Sequence, residues 1–309
     1  MGNEDSAVSL ESAGSLDNED ASPDMEGRKV FFLYPTVTVQ TQVIEELVQQ
    51  EYEVYSAKDH SALVRILRKS PDSVVFINID EGMSKQEWEG WIRNLMTTMP
   101  TISIGVMSAN TDDEIKQKYI EEFKLPCGFT GLNLDMSRTI PKFMDILKII
   151  DAKGRRKYLR ATVENDTATL NMKHGDEYIN AVIRDISVVG VSCIFDADPD
   201  LTKNALFKNI QIKLLTVILK ADAIIFGSRM DGGIKTYVLL FTQRLDPEVR
   251  TKIRKYIQQN IQSKMDIEIK KLAEIRKQAE DKKQAEDKKQ AEDKKQAEDK
   301  KQAEDKKQQ

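Results

Sequence analysis

The sequence predicts an α/β domain with a five-stranded parallel sheet over residues 29–151, followed by an all-β domain over residues 152–262. Three observations support this fold class. In the first region, short apolar runs alternate with helical patterns, whereas in the second, short strand patterns follow one another without helices. An apolar stripe at helical spacing then closes the folded part of the chain. Polar segments, residues 1–28 and 263–309, flank the two domains.

The two ends of the chain have compositions that cannot form a core. Residues 1–27 contain eight acidic residues and no Lys or Arg, so we expect this segment to be disordered. From Gln278 the hexad Gln-Ala-Glu-Asp-Lys-Lys occurs five times in succession. Because a hexad turns about 600° around a helix, its alanines spiral and form no packing stripe. The repeats are therefore predicted to be a solvated tail that extends the preceding helix.

Five strand–helix units with short connections predict the parallel sheet, with helices on both of its faces. The runs that read as strands are Val30–Leu33, Tyr52–Tyr55, Val74–Ile79 and Ile102–Met107. The helices are indicated by apolar residues at helical spacing: Val43, Ile44 and Leu47; Leu63, Ile66 and Leu67; Ile115, Tyr119 and Phe123; Phe143, Leu147 and Ile150.

The second region reads as a small antiparallel barrel of about six strands, because no helical pattern separates its strand runs. Gly232-Gly233 is a hairpin signal between the last two. Asp246-Pro247 starts a helix with proline in its first turn, and the apolar stripe along this helix runs from Val249 to Ile275. The predicted strand runs are Ala161–Met172, Tyr178–Ile186, Val188–Phe195, Ile210–Lys220, Ala223–Phe226 and Tyr237–Phe241.

Composition excludes several classes of function. The 47 basic and 51 acidic residues nearly balance, so net charge indicates neither a nucleic-acid binder nor a membrane-surface protein. The two cysteines, Cys127 and Cys193, and the two histidines have no zinc-ligand spacing. No apolar stretch is long enough to span a membrane, and the first residues lack a secretory pattern. We therefore expect a cytoplasmic protein in a reduced compartment, with no metal, no bound nucleic acid and no membrane insertion.

One constellation of residues points to ligand binding. Five of the eight residues from Lys153 to Arg160 are basic, and Arg156 and Arg160 are separated by three residues. Asp185-Ile186-Ser187-Val188-Val189-Gly190 follows some twenty-five residues later. A guanidinium can hold phosphate oxygens with a planar fork and can also stack on a purine. The alternatives are a solvated basic surface and an Asx-type turn that uses Gly190 only for its backbone.

Together, Arg-x-x-x-Arg and Asp-x-Ser-x-x-Gly resemble the two-part signature of the PilZ family. The resemblance implies a six-stranded β-barrel with a C-terminal helix that binds cyclic di-GMP and has no other cofactor. Arg155, Arg156 and Arg160 would then contact phosphates and guanine faces, and Asp185 would accept hydrogen bonds from a guanine edge. Ser187 would offer a hydroxyl to phosphate or neighbouring backbone, and Gly190 would allow a turn or a close approach.

The first region resembles a response-regulator receiver domain, but its chemical residues depart from that family. Tyr34-Pro35-Thr36 stands where receivers have acidic residues, and Asn78 is near the position of the phosphoryl-accepting aspartate. Ser108 matches the hydroxyl position, whereas Thr130-Gly131-Leu132 contains no lysine. Without the acidic pair and the lysine, phosphoryl transfer loses its metal and charge clamp. We expect a pseudo-receiver used for contacts, with Asp80 in a strand-end turn.

These observations favour a bacterial signalling receptor or adaptor that couples cyclic di-GMP binding to domain rearrangement or to a protein partner whose identity the residues do not give. The alternative is a PilZ-like scaffold that binds no nucleotide. An enzyme is not expected, because no nucleophile with a base, phosphate loop or metal cluster is present. Self-association through the long helix is compatible with either reading. The family resemblance implies roles in motility, adhesion or virulence.

Overall fold

The computed structural model describes residues 27–132, 135–154, 157–164, 167–242 and 245–305, with side chains of the last helix described up to Ile275 and at Gln278. Two of the sequence predictions fall outside these ranges. One is the expected disorder of the N-terminal segment up to residue 26. The other is the placement of Arg155 and Arg156.

The first domain contains a five-stranded parallel sheet in the order β2-β1-β3-β4-β5. Both central strands, β1 and β3, are buried along their whole length, which explains why they read as unbroken apolar runs rather than as alternating patterns. The parallel sheet is therefore confirmed. Its strands are β1 (Val30–Leu33), β2 (Val54–Ala57), β3 (Val74–Asn78), β4 (Ser103–Ser108) and β5 (Phe129–Gly131).

Helices cover both faces of this sheet, as predicted. One core contains residues of α1 and α5, and the other contains residues of α2, α3 and the segment around α4. Polar side chains cap the N-termini of two helices, α2 and α3. Asp59 accepts from the amides of Ser61 and Ala62, and Ser84 forms a capping box with Glu87. The helices are α1 (Glu45–Gln49) after a π-helical turn (Val39–Ile44), α2 (His60–Lys69), α3 (Lys85–Thr98), α4 (Asp113–Gln117) followed by a π-helical turn (Lys118–Glu122), and α5 (Met136–Ile149).

The second domain is a closed antiparallel barrel, which confirms the predicted architecture. Six strands close in the order β8-β7-β10-β11-β12-β9, because β9 pairs with both β12 and β8. The short strand β6 pairs with residues 185–187 of β8, beyond the part of β8 that pairs with β7. The strands are β6 (Arg160–Thr162), β7 (Ala168–His174), β8 (Glu177–Ser187), β9 (Gly190–Phe195), β10 (Leu206–Leu214), β11 (Val217–Asp231) and β12 (Ile234–Phe241).

Two of the predicted strand runs were wrong in their boundaries. The run Ala161–Met172 is divided into β6 and β7, and the run Ile210–Lys220 is divided between β10 and β11 by a tight turn at Leu215 and Thr216. Leu215 has a φ of 54°, a conformation that glycine and asparagine usually mark. Since this turn is made of apolar and β-branched residues, it gave no sequence signal. By contrast, Gly232 and Gly233, both with positive φ, form the predicted hairpin between β11 and β12.

A single helix, α6 (Pro247–Asp305), joins the two domains. It begins where predicted, since the Asp246 carboxylate accepts from the amide of Glu248. Its first turns place Ile253 and Ile257 in the barrel core, and Met265 then lies in the core of the α/β domain. Ile261, between them, packs against both cores. The predicted apolar stripe therefore serves two cores in succession.

Polar side chains of α6 also satisfy the open edge of strand β2. Gln262 donates to the carbonyl of Ser56 at 3.0 Å and accepts from its amide at 2.9 Å, and Gln258 donates to the carbonyl of Val54 at 2.7 Å. Residues four apart on a helix advance about 6 Å, close to the spacing of alternate residues in a strand. The helix thus takes the place of a sixth strand at this edge.

Cys127 and Cys193 are free and buried in different cores, and burial raises the pKa of each thiol to about 12. Because the thiolate is the reactive form, we expect neither thiol to react rapidly with an aromatic disulfide reagent at about pH 8 in the native protein. Both should react within minutes in denaturant. Release of the coloured thiol, followed by absorbance with and without denaturant, measures this; a rapid native reaction would contradict the burial.

Candidate functional site

A cleft of about 580 Å³ lies between the barrel and the α/β domain. Strands β6, β8, β9 and β12 form its barrel wall, and residues around Lys29 and Tyr52 form the opposite wall. Helix α6 closes one end with Asn260, Ile261 and Lys264. The cleft is within the size range of small-molecule sites, about 300–1,000 Å³, and has the position between domains where such sites are common.

Strand register brings the two parts of the sequence motif together. Arg160 of β6 lies opposite Ser187 of β8, and Ser187 lies opposite Gly190 of β9. Asp185 stands two residues before Ser187 and therefore points to the same side of β8. Directly opposed residues have Cβ atoms about 5 Å apart. Residues about thirty positions apart in the chain thus form one wall of the cleft.

Burial of the intervening residues sets the direction of these side chains. Ala161, Ile186 and Val191 belong to the barrel core, with at most 3% of their surface exposed. Since neighbouring residues in a strand face opposite sides, Arg160, Asp185 and Ser187 must face outward, toward the cleft. A shift of one residue in the pairing would bury an arginine in the core, so the hydrophobic pattern itself specifies the site.

The hydrogen bonds of the motif residues show which of them are already engaged. Ser192 donates its hydroxyl to Asp185 Oδ2 at 3.0 Å, which orients the carboxylate. The Ser187 hydroxyl accepts from the Val189 amide and donates to the Gly190 carbonyl, both at 3.3 Å, so it holds the turn between β8 and β9. The Arg160 side chain is exposed on the cleft wall. The Arg160 guanidinium and the Asp185 carboxylate both lie on the cleft wall, where a ligand can contact them.

Gly190 has a packing role at this site. A Cβ atom at this position would lie 2.3 Å from the carbonyl oxygen of Leu239 in the neighbouring strand β12. Side-chain carbon atoms do not approach backbone oxygens this closely, so the strand pairing requires glycine here. The close approach explains the glycine of the motif without reference to a ligand.

The cleft also contains residues that the sequence reasoning missed. Lys29, Glu51 and Tyr52 come from the α/β domain, Arg229 from β11 and Lys264 from α6. The first three and Lys264 reach the cleft only through tertiary packing, so no local pattern identifies them. For Arg229 the sequence does contain a signal, which is the nearby Gly227.

A β-bulge turns Arg229 toward the cleft. Ile225 pairs with Leu239 and the next pair joins Gly227 to Val238, so strand β11 contains one extra residue at Phe226. The bulge reverses which residues face the barrel core, and Arg229 consequently lies on the same side as Val238, which lines the cleft. A glycine inside a strand pattern is a known sign of a bulge, and Gly227 could have revealed this shift.

The charges around the cleft favour an anion that also carries hydrogen-bond donors. Among the described lining residues, the cations are Lys29, Lys153, Arg160, Arg229 and Lys264, and the acids are Glu51, Glu53, Asp185 and Asp231. Arg155 and Arg156 add two cations in the sequence of the segment that leads to Arg160. Phosphate oxygens suit the guanidinium groups, and the edge of a base suits a carboxylate. The arrangement could therefore bind an anion that also offers hydrogen-bond donors.

At the carboxyl edge of the parallel sheet, polar side chains bond to neighbouring loops and strands. Asn78 donates to the Tyr34 carbonyl at 2.9 Å, and the Asp80 carboxylate accepts from the Ser108 hydroxyl and the Ala109 amide, both at 2.6 Å. Asp80 therefore stabilises a strand-end turn, as expected. Trp88 is fully buried and donates to the Glu81 carbonyl at 2.9 Å, so it is a core residue.

Within residues 27–305, the gaps apart, no group of three or more His, Cys, Asp or Glu side chains is placed to hold a metal ion. None of the helices in these ranges has the length and apolar character needed to cross a membrane.

Comparison with known proteins gives similarities among solved structures. No family model matches the chain, and no curated protein matches it. The PilZ domain of YcgR from Escherichia coli, solved with c-di-GMP, is 17% identical, with 39% of this chain and 98% of that chain covered and a TM-score of 0.30. The MrkH–c-di-GMP complex from K. pneumonia is 17% identical, with 37% and 55% covered and a TM-score of 0.32.

A third similar structure is a response regulator from Thermotoga maritima, 18% identical, with 40% of this chain and 98% of that chain covered and a TM-score of 0.33. This chain spans about half the length of MrkH and of the longer YcgR structure. At these values the similarities say nothing about the ligand of this chain. Its function must be argued from the cleft itself.

Proposed function

We propose that this protein is a cyclic di-GMP receptor in which a PilZ-type barrel is joined to a receiver-like domain without phosphoryl chemistry. The observation that supports this proposal is the register of β6, β8 and β9, which places Arg160, Asp185, Ser187 and Gly190 on one wall of an interdomain cleft. Each half of the motif is a weak pattern alone. Their meeting at one cleft is an independent, three-dimensional reason to treat them as one site.

In this proposal, Arg160 binds a phosphate of the ligand with its planar fork of donors, and Arg155 and Arg156 contribute further phosphate contacts and stack on guanine. Asp185 accepts hydrogen bonds from the N1 and N2 donors of guanine, with its carboxylate oriented by Ser192. Adenine offers no such pair of donors on this edge, so Asp185 selects guanine. The protein itself makes and breaks no bond of the ligand.

The location of the cleft supports a signalling role for binding. Because both domains line it, a ligand there contacts both and alters the free energy of their packing. We propose that the output is a change in domain arrangement or in the surface offered to a protein partner, in the cytoplasm of a bacterium. The receiver-like domain would then serve as a contact domain.

One specific observation favours an alternative. Ser187 and Gly190 both have roles in the β8–β9 turn and in strand packing, which a PilZ-like scaffold without nucleotide would also need. Arg160 distinguishes the two readings, since its side chain is exposed on the cleft wall, where the receptor reading needs it for the ligand. The scaffold reading predicts a folded barrel that binds no cyclic dinucleotide.

Calorimetric titration with cyclic di-GMP, cyclic di-AMP and GTP tests the proposal. We expect the full-length protein to bind cyclic di-GMP with a micromolar or lower Kd. Cyclic di-AMP should bind at least about 100-fold more weakly, since a lost pair of charge-assisted hydrogen bonds to Asp185 costs about 3 kcal/mol. GTP keeps the guanine edge but has only one base and no phosphodiester ring, so it should also bind more weakly. Circular dichroism of the same sample confirms that it is folded. A folded protein that binds none of the three nucleotides would leave the scaffold reading.

A further inference from the structure

Glu51 lies where the three parts that surround the cleft meet. It follows α1 in the α/β domain, has a φ of 66° and lines the cleft, yet only 6% of its side chain is exposed. Its Oε1 accepts from Arg254 Nε of α6 at 2.7 Å, and its Oε2 accepts from the backbone amide of Leu159 at 2.9 Å. The Glu51 carboxylate therefore binds both helix α6 and the segment that leads into Arg160.

We propose that Glu51 is the positioning residue of the nucleotide site, and that it transmits occupancy of the cleft to the α/β domain and α6. This inference rests on the proposed function and assigns a residue outside the sequence motif. Glu51 does not need to touch the ligand for this role. It acts through Leu159, which is the residue directly before Arg160.

Burial makes this contact sensitive to the loss of either donor. A buried carboxylate loses its hydration, and only charge-assisted and backbone hydrogen bonds in good geometry compensate for that loss. Arg254 is itself only 19% exposed and donates a second bond, from Nη1 to Gln49 Oε1 at 3.0 Å. The backbone before Arg160 is thus held by the buried Glu51 carboxylate, each of whose oxygens accepts a hydrogen bond.

In the described part of the segment, the side chains of Tyr158 and Leu159 pack against the barrel core, and Glu51 fixes the backbone at Leu159. The segment also contains Gly154 with a φ of 65°, and Lys157 and Tyr158 lie in a bend outside any helix or strand. Fixing the backbone of each such residue has an entropic cost that binding must otherwise supply. With Leu159 already held, the ligand meets Arg160 near its bound position, so the contact raises affinity by preorganisation.

Thermodynamic linkage determines how ligand binding affects the contact between Glu51 and Leu159. If the Glu51–Leu159 contact favours binding, then binding must favour the contact by the same factor. A ligand that fixes Arg160 therefore strengthens the hold of Glu51, and Glu51 in turn holds Arg254. Protection from hydrogen exchange should consequently spread from the barrel into residues 49–53 and into the first turns of α6.

Hydrogen exchange and calorimetry on the full chain test this role with Glu51→Ala. Without ligand, we expect the amide of Leu159 to exchange at least tenfold faster than in the wild type. We expect cyclic di-GMP to bind five- to tenfold more weakly, and ligand-induced protection at residues 49–53 and 250–258 to be lost. Glu46→Ala is the matched control, because Glu46 is a carboxylate on α1 that bonds to Gln50 and does not line the cleft; it should change none of these quantities.

Glu51→Gln gives a second variant in case the alanine variant does not fold. Its one carbonyl oxygen must serve two donors, so an intermediate loss is expected. Unchanged exchange at Leu159, or affinity within twofold of wild type despite faster exchange, would overturn the positioning role. If wild type bound no cyclic di-GMP, the receptor function would fail, and faster Leu159 exchange in Glu51→Ala would still show the contact without a role in binding.

Discussion

Arg160→Ala is expected to weaken binding of cyclic di-GMP by about 100-fold, equivalent to about 3 kcal/mol, while changing the free energy of unfolding by no more than about 1 kcal/mol. Arg160 is the motif arginine whose position the structure describes, and it lies opposite Ser187 on the cleft wall. Its side chain is exposed on the short strand β6, so truncation opens no cavity in the core. Calorimetric titration gives the affinity, and a thermal melt gives the stability.

Two further variants identify the origin of that loss. Arg160→Lys keeps the charge but loses the planar fork of donors, so we expect a loss of about tenfold. Lys220→Ala removes a cation from the exposed outer face of β11, away from the cleft, and should bind as the wild type does. If Arg160→Ala bound cyclic di-GMP as tightly as Lys220→Ala does, the cleft would not be the nucleotide site.

The fold could be predicted from the sequence because the strands of the two domains are buried differently and therefore have different hydrophobic patterns. Strands buried on both faces produce unbroken runs such as Val74–Asn78, and barrel strands with one wet face alternate, as Ile210–Leu214 does. The predicted strand boundaries were wrong where no turn-forming residue marked the end of a strand. The turn at Leu215 contains no glycine, asparagine or proline, and a continuous apolar run hid the change of strand.

The candidate site could be predicted in part, for a related reason. The residues of the two motif halves lie in strands that pair with each other, so a sequence pattern and a strand register coincide at Arg160, Asp185 and Ser187. Glu51 gave no such signal, because it meets Leu159 and Arg254 only after the two domains have packed. Contacts between residues more than 100 positions apart are not written in any local pattern.

The long helix illustrates the same limit at the level of domains. Its apolar stripe predicts a helix that packs on the barrel, and self-association through the stripe from Val249 to Ile275 is compatible with that prediction. In the structure Met265 lies in the α/β core, and Ile269 and Leu272 pack against that core. A stripe shows that a face is apolar but does not identify what covers it, which for these three residues is another domain of the same chain.

Gly190→Ala is expected to lower the free energy of unfolding by roughly 1–3 kcal/mol, the range for forcing extra atoms into a packed site. The new Cβ would lie 2.3 Å from the Leu239 carbonyl oxygen and 3.2 Å from Leu240 Cα, both backbone atoms of β12. Backbone atoms cannot rotate away as a side chain can, so β9 and β12 must separate where the barrel closes. Urea denaturation followed by circular dichroism measures the change.

Gly227→Ala is the matched control, since it adds the same methyl group to a glycine in the same barrel. No atom lies within 4 Å of the position its Cβ would take, and the change should be neutral or stabilise by up to about 1 kcal/mol. A difference between the two variants assigns the glycine of the motif to strand packing. Equal stability of both, with weaker cyclic di-GMP binding in Gly190→Ala alone, would instead mean that Gly190 is needed for the approach of the ligand.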